Sequence, residues 1–156
     1  IIAFIIAGLY LIISTFGIGN ILGLIDRAFN SPVDTSLSKE EYIAACEETT
    51  PEAFYRSSAG YNGKFVSFTL IIEQKLVDSN GYYNNEEYTT YYICSAEDGA
   101  EYEILVRDCI QDGSVNFIAG DLITVYGEGA GNVTVYDMDY LPHTAPCINA
   151  AYVIQR

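Results

Sequence analysis

The fold is decided by residues 64–77, which read KFVSFTLIIEQKLV. Apolar side chains occupy every second position in the first half of this stretch. They are Val66, Phe68, Leu70 and Ile72. Because successive side chains of an extended chain point to opposite faces, these four would share one face of a strand. The pattern predicts a long β-strand over 64–77 with one face in a core.

Further strands are predicted on the C-terminal side of this one. A loop of turn-forming residues at 78–85 separates it from a Tyr- and Thr-rich strand at 88–95. The pair Asp98-Gly99 is typical of a tight hairpin turn into a third strand at 101–107. Three more segments follow: a strand at 122–127, a short hairpin partner at 133–136 after a turn at 127–131, and a terminal strand at 148–154.

Two short helices are predicted on the N-terminal side. Ser38 has the character of an N-cap, and Glu41 three residues later completes a capping box. Pro51 suits the first turn of a second helix, which ends before the turn at 60–63. Two helices followed by five or six short strands indicate a mainly β domain, a small and partly closed antiparallel barrel.

The first 25 residues contain no charged side chain. About 20 apolar residues in a helix span a bilayer core, so the segment 1–25 predicts a transmembrane helix, with a linker at 26–37 and a soluble domain at 38–156. A signal-peptide core or a buried helix is the alternative, but both are usually shorter. Few basic residues follow, which favours an extracellular domain on a single-pass cell-membrane protein. Gly19 and Gly23 have a spacing that allows close helix packing.

The chain contains 7 Lys and Arg against 21 Asp and Glu, a formal charge of −14. Nucleic-acid binding relies on basic side chains, so this balance predicts no nucleic-acid partner. The four cysteines lack zinc-ligand spacing, and neither a metal nor a cofactor is expected. They are either buried thiols or, outside the cell, disulfides. For disulfides, the pair Cys46 and Cys147 is the expected one, since it would tie the first helix to the last strand.

Four segments in order carry a resemblance to a known group of domains. They are KEEYIAACEE at 39–48, GYNGKFVSFT at 60–69, GDLITVYGE at 120–128 and INAAYVI at 148–154. The set resembles the OB-fold-like C-terminal domains of single-pass, membrane-anchored surface proteins of Gram-positive Firmicutes. The resemblance implies an OB-like barrel of five to six strands behind a membrane helix, and it carries no catalytic residue. Asn149 and Ala151 stand where the group more often has basic residues.

Tyrosine is the unusual component, with 14 Tyr and no Trp. Six tyrosines fall on the second loop, the second strand and the third strand: Tyr82, Tyr83, Tyr88, Tyr91, Tyr92 and Tyr102. In OB folds this face is the usual ligand platform, where exposed rings stack on sugars or grip a protein. The alternative interpretation is that tyrosine is simply a good strand former.

No catalytic arrangement is evident, and no enzyme is predicted. The one histidine, His143, lies in a Pro-bracketed loop without a nucleophile motif. Acidic pairs fall at turns, where solvated charge is ordinary, and the loop at 78–86 departs from the calcium-loop pattern. The predicted function is a membrane-anchored extracytoplasmic binding module, with a cell-wall glycan or an envelope protein as partner. A structural accessory subunit of a membrane complex is the alternative, and an envelope hydrolase is a distant one.

Overall fold

The computed structural model describes residues 33–34, 36–77, 90–100, 102–110, 116–137 and 139–156. The chain divides into two units, Ile1–Ser36 and Leu37–Arg156, and the second contains every element given below. The predicted membrane helix at 1–25, with its packing residues Gly19 and Gly23, lies outside the described residues. Within the described ranges, no helix has the length and apolarity needed to cross a bilayer.

Two helices begin the second unit at the positions that the sequence indicates. Helix α1 spans Lys39–Ala45. The Ser38 hydroxyl accepts the Glu41 N–H, and the Glu41 carboxylate accepts the Ser38 N–H at 3.0 Å, which confirms the capping box. Helix α2 spans Pro51–Arg56 and is capped by Thr50, and a 3₁₀ turn follows at Ser58–Tyr61. The satisfied N–H groups explain why both helices begin where they do.

Six strands form one sheet. They are β1 (Glu47–Glu48), β2 (Phe65–Val77), β3 (Thr90–Ser95), β4 (Ile104–Asp108), β5 (Leu122–Tyr136) and β6 (Pro142–Gln155). Their order is β1-β2-β3-β4-β6-β5, and β5 also pairs with β2, so five strands close into a barrel. The prediction of a purely antiparallel barrel is corrected at two places, because β1–β2 and β4–β6 are parallel. The arrangement is mainly β and consistent with an OB-like fold.

The predicted turn at 127–131 is wrong, because β5 continues through its glycines without reversing. A Cβ at Gly127 would overlap the carbonyl oxygen of Asn149 on β6, and one at Gly129 would overlap the carbonyl oxygen of Tyr61. These glycines therefore permit close approach of the backbone. The register of β5 against β6 shifts on both sides of this stretch, and Gly131 has a φ of 70°. The glycines mark bulges in a long strand.

Strand β6 begins six residues earlier than predicted, at Pro142, and contains the segment expected to be a loop. Pro142 pairs with Tyr136, and Pro146 pairs with Asn132. The reversal between β5 and β6 lies instead around Asp137. Its carboxylate accepts the N–H of Asp139 and of Leu141, each at 2.9 Å. This side chain supplies the turn that the glycines were expected to form.

The interior of the barrel confirms the opening prediction. All four alternating residues of β2 are buried, and they pack with Phe54 of α2 and with inward side chains of every other barrel strand. The opposite faces of β3 and β4 form a second buried cluster. It contains Leu76, Tyr91, Ile93, Leu105, Val135, Ala145 and Cys147. Strand β3 is consequently buried on both faces.

The bridge predicted between Cys46 and Cys147 is not formed, since both residues are free cysteines. Cys147 is fully buried in the second cluster and pairs with Leu105 of β4. Cys46 follows α1 and interacts with the backbone of Gly127, which pairs with Ala150. Ala150 lies three residues along β6 from Cys147, or about 10 Å at the usual strand rise. The fold thus directs the two thiols to different places.

A hydroxyl-lined groove on the barrel

Of the six tyrosines of the predicted platform, the structure describes three, and it buries two of these. Tyr91 and Tyr92 retain only 5% and 2% of their accessible surface, because β3 is buried on both faces. The Tyr92 hydroxyl donates to the carboxylate of Asp108, an exposed residue at the end of β4, at 3.4 Å. Burial, together with the negative charge of Asp108, raises the pKa of Tyr92 to about 12. Of the other four, Tyr82, Tyr83 and Tyr88 lie outside the described residues, and Tyr102 is half-buried.

An opening in the sheet lies beside β2. On one edge, β1 pairs with β2 only as far as Ser67, and β3 begins pairing only at Ile71. The Ser67 carbonyl accepts the Thr49 N–H at 3.0 Å on this edge. Backbone groups of residues two apart in a strand point to the same edge. The N–H and C=O of Thr69 therefore point to the same edge as the Ser67 carbonyl, into the gap between β1 and β3. No described strand pairs with Thr69 on that side.

Hydroxyl side chains lie on the outward side of β2 and β5 at this opening. Thr69 pairs with Thr124 across β2 and β5, and their hydroxyl oxygens lie 3.1 Å apart. Arg156 donates from Nε to the Thr124 hydroxyl at 2.8 Å. Ser67 faces Tyr126 in the next pair on this face. Ser67 and Thr124 retain only 8% and 6% of their accessible surface, whereas Thr69 is half-buried.

This patch is bordered by two connecting segments and forms a groove between them. One segment joins β1 to α2, and the other is the turn between β3 and β4. The hydroxyl groove, as we call it, has a volume of about 660 Å³. Its lining consists of Cys46, residues 48–52, residues 67–69, residues 96–98, Tyr102, Thr124, Tyr126 and Arg156. Four of these side chains are carboxylic acids and one is a guanidinium, so the groove is acidic overall.

Tyr102 forms the boundary between the groove and a smaller depression next to it. Its ring stacks on that of Tyr55 from α2, with centroids 4.8 Å apart and planes inclined by 23°. The depression has a volume of about 480 Å³ and is lined by both rings and by Ser95, Ala100, Glu103, Thr144 and Ala145. Burial raises the pKa of Tyr102, with further contributions from the charges of Asp98 and Glu52. Tyr102 therefore stays a neutral hydroxyl at neutral pH.

His143, the only histidine, lies away from the groove at the hairpin between β5 and β6. Its Nε2 is 3.4 Å from the Asp137 carboxylate, which holds the turn. The pKa of Asp137 is lowered, chiefly by the hydrogen bond from the Leu141 N–H. Within the described ranges, no three His, Cys, Asp or Glu side chains gather as a metal site would require. The geometry of this pair accounts for a structural role at the turn.

Sequence reasoning missed the groove, although one signal for it was present. The same alternation that placed Val66 and Phe68 in the core leaves Ser67 and Thr69 on the outward face. On β5 the outward positions are likewise Thr124 and Tyr126. Two neighbouring strands with hydroxyl side chains outward predict a hydroxyl-covered patch. The sequence does not show that these two strands pair in this register, or that the turn at 96–98 borders the patch. Both are visible only in the structure.

Known proteins show little similarity to this chain. No family model matches the chain, and no curated protein matches it. One solved structure with similarity is the mitochondrial single-stranded DNA-binding protein Rim1 of S. cerevisiae. The identity is 12%, the TM-score is 0.36, and the match covers 60% of this chain and 95% of that one.

The prediction of no nucleic-acid partner is corrected, since it depended on the charge of the whole chain, and Rim1 is itself a single-stranded DNA-binding protein. The physical error lies in using the charge of the whole chain. A net charge of −14 belongs to the whole chain and does not describe any single face of it. Whether the hydroxyl groove binds nucleic acid or another class of ligand is therefore a question for binding experiments.

Proposed function

We propose that Leu37–Arg156 is a non-catalytic binding module whose ligand lies in the hydroxyl groove. The observation that carries this proposal is the open edge of β2 at Thr69. Thr69 is half-buried and lines the groove together with Ser67 and Thr124, which are buried beside it. Removing water from a polar group costs free energy unless the group gains a new hydrogen-bond partner. A ligand that supplies matching donors and acceptors therefore binds more tightly there.

The location on the barrel supports a binding role. OB-type barrels bind ligands on the outer surface of their strands and on adjoining loops, with the barrel as a rigid frame. Here the groove is built on β2 and β5, and its walls are two short connections anchored by capped helices and by a tight turn. A rigid floor reduces the ordering cost of association.

We further propose that the module is displayed outside the cell on the predicted membrane helix at 1–25. The uncharged stretch of 25 residues and the scarcity of basic residues after it support this placement. An acidic domain on the outer surface stays soluble and remains apart from anionic headgroups. Protease protection of right-side-out and inverted vesicles tests it, since an outward domain is digested only in the first. Digestion only in inverted vesicles would contradict it.

The binding proposal is tested with the full chain in mild detergent, immobilised and exposed to oligosaccharides, single-stranded oligonucleotides and short peptides. We expect saturable binding to one class. Tyr102→Ala removes a wall of the groove, and Thr124→Val removes a hydroxyl at nearly constant volume, so both should weaken binding. The matched control is Tyr136→Ala, because Tyr136 is exposed on β5 but does not line the groove.

Two results would contradict the proposal. One is the absence of binding to all three classes by a folded wild-type protein. The other is binding that Tyr136→Ala reduces and that both groove variants leave unchanged. Circular dichroism of each variant shows whether a loss reflects misfolding.

A further inference from the structure

The hydroxyl groove and the two stacked tyrosines point to a ligand class. We infer that the groove binds an oligosaccharide without acidic groups, with one sugar ring against Tyr102 and its hydroxyls on the floor around Thr69. This inference rests on the binding function proposed above and specifies its ligand.

The hydrogen-bonding chemistry of the floor matches that of a sugar. A sugar hydroxyl both donates and accepts, and so does the hydroxyl of Thr69, the half-buried residue of the floor; Ser67 and Thr124 are buried beside it and support it. The open edge at Thr69 adds one fixed donor and one fixed acceptor beside them. The Thr69–Thr124 contact at 3.1 Å and the Arg156 contact at 2.8 Å hold the floor in place, which orients its remaining lone pairs and protons.

The stacked tyrosines supply the apolar part of the site. The faces of a pyranose ring carry C–H groups that pack on aromatic rings, which is why sugar sites combine aromatic faces with polar side chains. Tyr102 has one face on Tyr55, and the ring forms the wall between the groove and the smaller depression. Tyr55 is 42% exposed, so the stack reaches solvent. A chain of sugars is thus able to extend from the groove past Tyr102.

The charges of the groove decide against acidic sugars. Glu48, Glu97 and Asp98 line it together with Glu52, against the single guanidinium of Arg156. The Glu52 carboxylate forms an ion pair with Arg56, whose Nε lies 2.9 Å from Oε1. A carboxylate or sulfate on the ligand would meet like charge, and because these four acidic residues are exposed, the repulsion is strongest at low salt. Neutral or amino sugars avoid this penalty.

A peptide is the competing ligand, and the groove suits it less well. A peptide that adds to a strand edge needs a run of open backbone and pockets for alternate side chains. The open edge of β2 lies between Ser67 and Ile71, a short interval, and the floor is made of hydroxyls instead of apolar pockets. The acidic rim would still attract a basic peptide, so peptides belong in the experiment.

The test is an array of neutral, amino and acidic oligosaccharides, with a thymidine hexanucleotide and a Gly-Lys peptide on the same surface, probed with the full chain in detergent. We expect retention on neutral or amino sugars, and retention on the matching acidic sugars about tenfold weaker at low salt. Added salt should narrow that difference, because the repulsion is screened.

Variants test the placement of the sugar. For the strongest neutral sugar, Tyr102→Ala should weaken binding roughly 3- to 10-fold, the usual range for one aromatic stack. Tyr102→Phe keeps the ring and should stay within about threefold of wild type. Tyr136→Ala, outside the groove, should be unchanged. Equal loss in the Phe and Ala variants would overturn the stacking geometry and with it the inference.

Other outcomes separate this inference from the function on which it rests. Retention only on the oligonucleotide or the peptide, with loss in Tyr102→Ala, overturns the sugar assignment and leaves the binding module standing. Stronger retention on acidic than on neutral sugars also overturns it. If folded protein binds none of the probes, both proposals fail.

Discussion

Gly127 shows how one residue controls the closure of the barrel. It sits at the shift in register between β5 and β6, and a Cβ there would overlap backbone atoms of Asn149. Because the neighbour is main chain in a paired strand, it has little freedom to move. We expect Gly127→Ala to lower the free energy of unfolding by about 1–3 kcal/mol, the usual cost of overpacking. Urea unfolding of the full chain in detergent measures it.

The matched control is Gly60→Ala. Gly60 lies in the 3₁₀ turn at an ordinary φ, and a Cβ added there would have no other atom within 4 Å. Its free energy of unfolding should change by no more than about 0.5 kcal/mol, the range of an unstrained surface substitution. If the two variants were equally stable, the close approach of β5 to β6 at Gly127 would be incorrect.

Helix α1 illustrates, at the scale of elements, what the sequence predicted well. The helix has seven residues and buries only Tyr42 among them, so end effects are a large part of its stability. We expect Ser38→Ala to cost about 1 kcal/mol in the free energy of unfolding, because it leaves the Glu41 N–H without its acceptor. Chemical denaturation measures this cost.

The control for the capping box lies in the same turn. Glu40→Ala removes an acidic residue that takes no part in the box, and should cost only a few tenths of a kcal/mol through the helix dipole. In the double variant Ser38→Ala with Glu41→Ala, the two losses should not add, since each single change already breaks the reciprocal pair. Strict additivity would argue against the box.

Elements were predicted well where local chemistry decides them. The capping box, the Pro51 helix start and the alternation of β2 depend on neighbours in sequence, and all three are confirmed. The errors fall where distant pairing decides. Gly127 is an ordinary turn residue by composition, and only the approach of β6 gives it a place inside a strand. Pro146 likewise indicates a loop until its partner Asn132 is known.

At the scale of the molecule, the groove shows why a site is harder to predict than a fold. Its parts come from Thr49, Thr69, Tyr102, Thr124 and Arg156, which are far apart in sequence. The number of tyrosines drew attention to β3. One face of this strand lies in the barrel core and the other packs in the second cluster, so its tyrosines are buried. Composition shows that tyrosines are present, whereas closure of the sheet decides which ones reach solvent.

The buried thiols give the whole molecule a predictable response to alkali. Burial raises the pKa of Cys147 from 9.0 to about 12, so between these pH values the thiol ionises in the unfolded chain and stays protonated in the folded one. The unfolded state then binds fewer protons, and stability must fall as pH rises. Each such group contributes up to about 1.4 kcal/mol per pH unit in this window.

Comparing variants isolates this contribution from that of other titrating groups. Between pH 9 and 11, we expect the free energy of unfolding of Cys147→Ala to fall less steeply than that of wild type. Val135→Ala is the matched control, because Val135 is buried in the same cluster and opens a cavity without removing a titrating group. Its stability should be lower at every pH but should fall as steeply as in wild type. Parallel curves for all three proteins would mean that the Cys147 thiol reaches solvent, and the packing of the second cluster against β4 and β6 would then be incorrect.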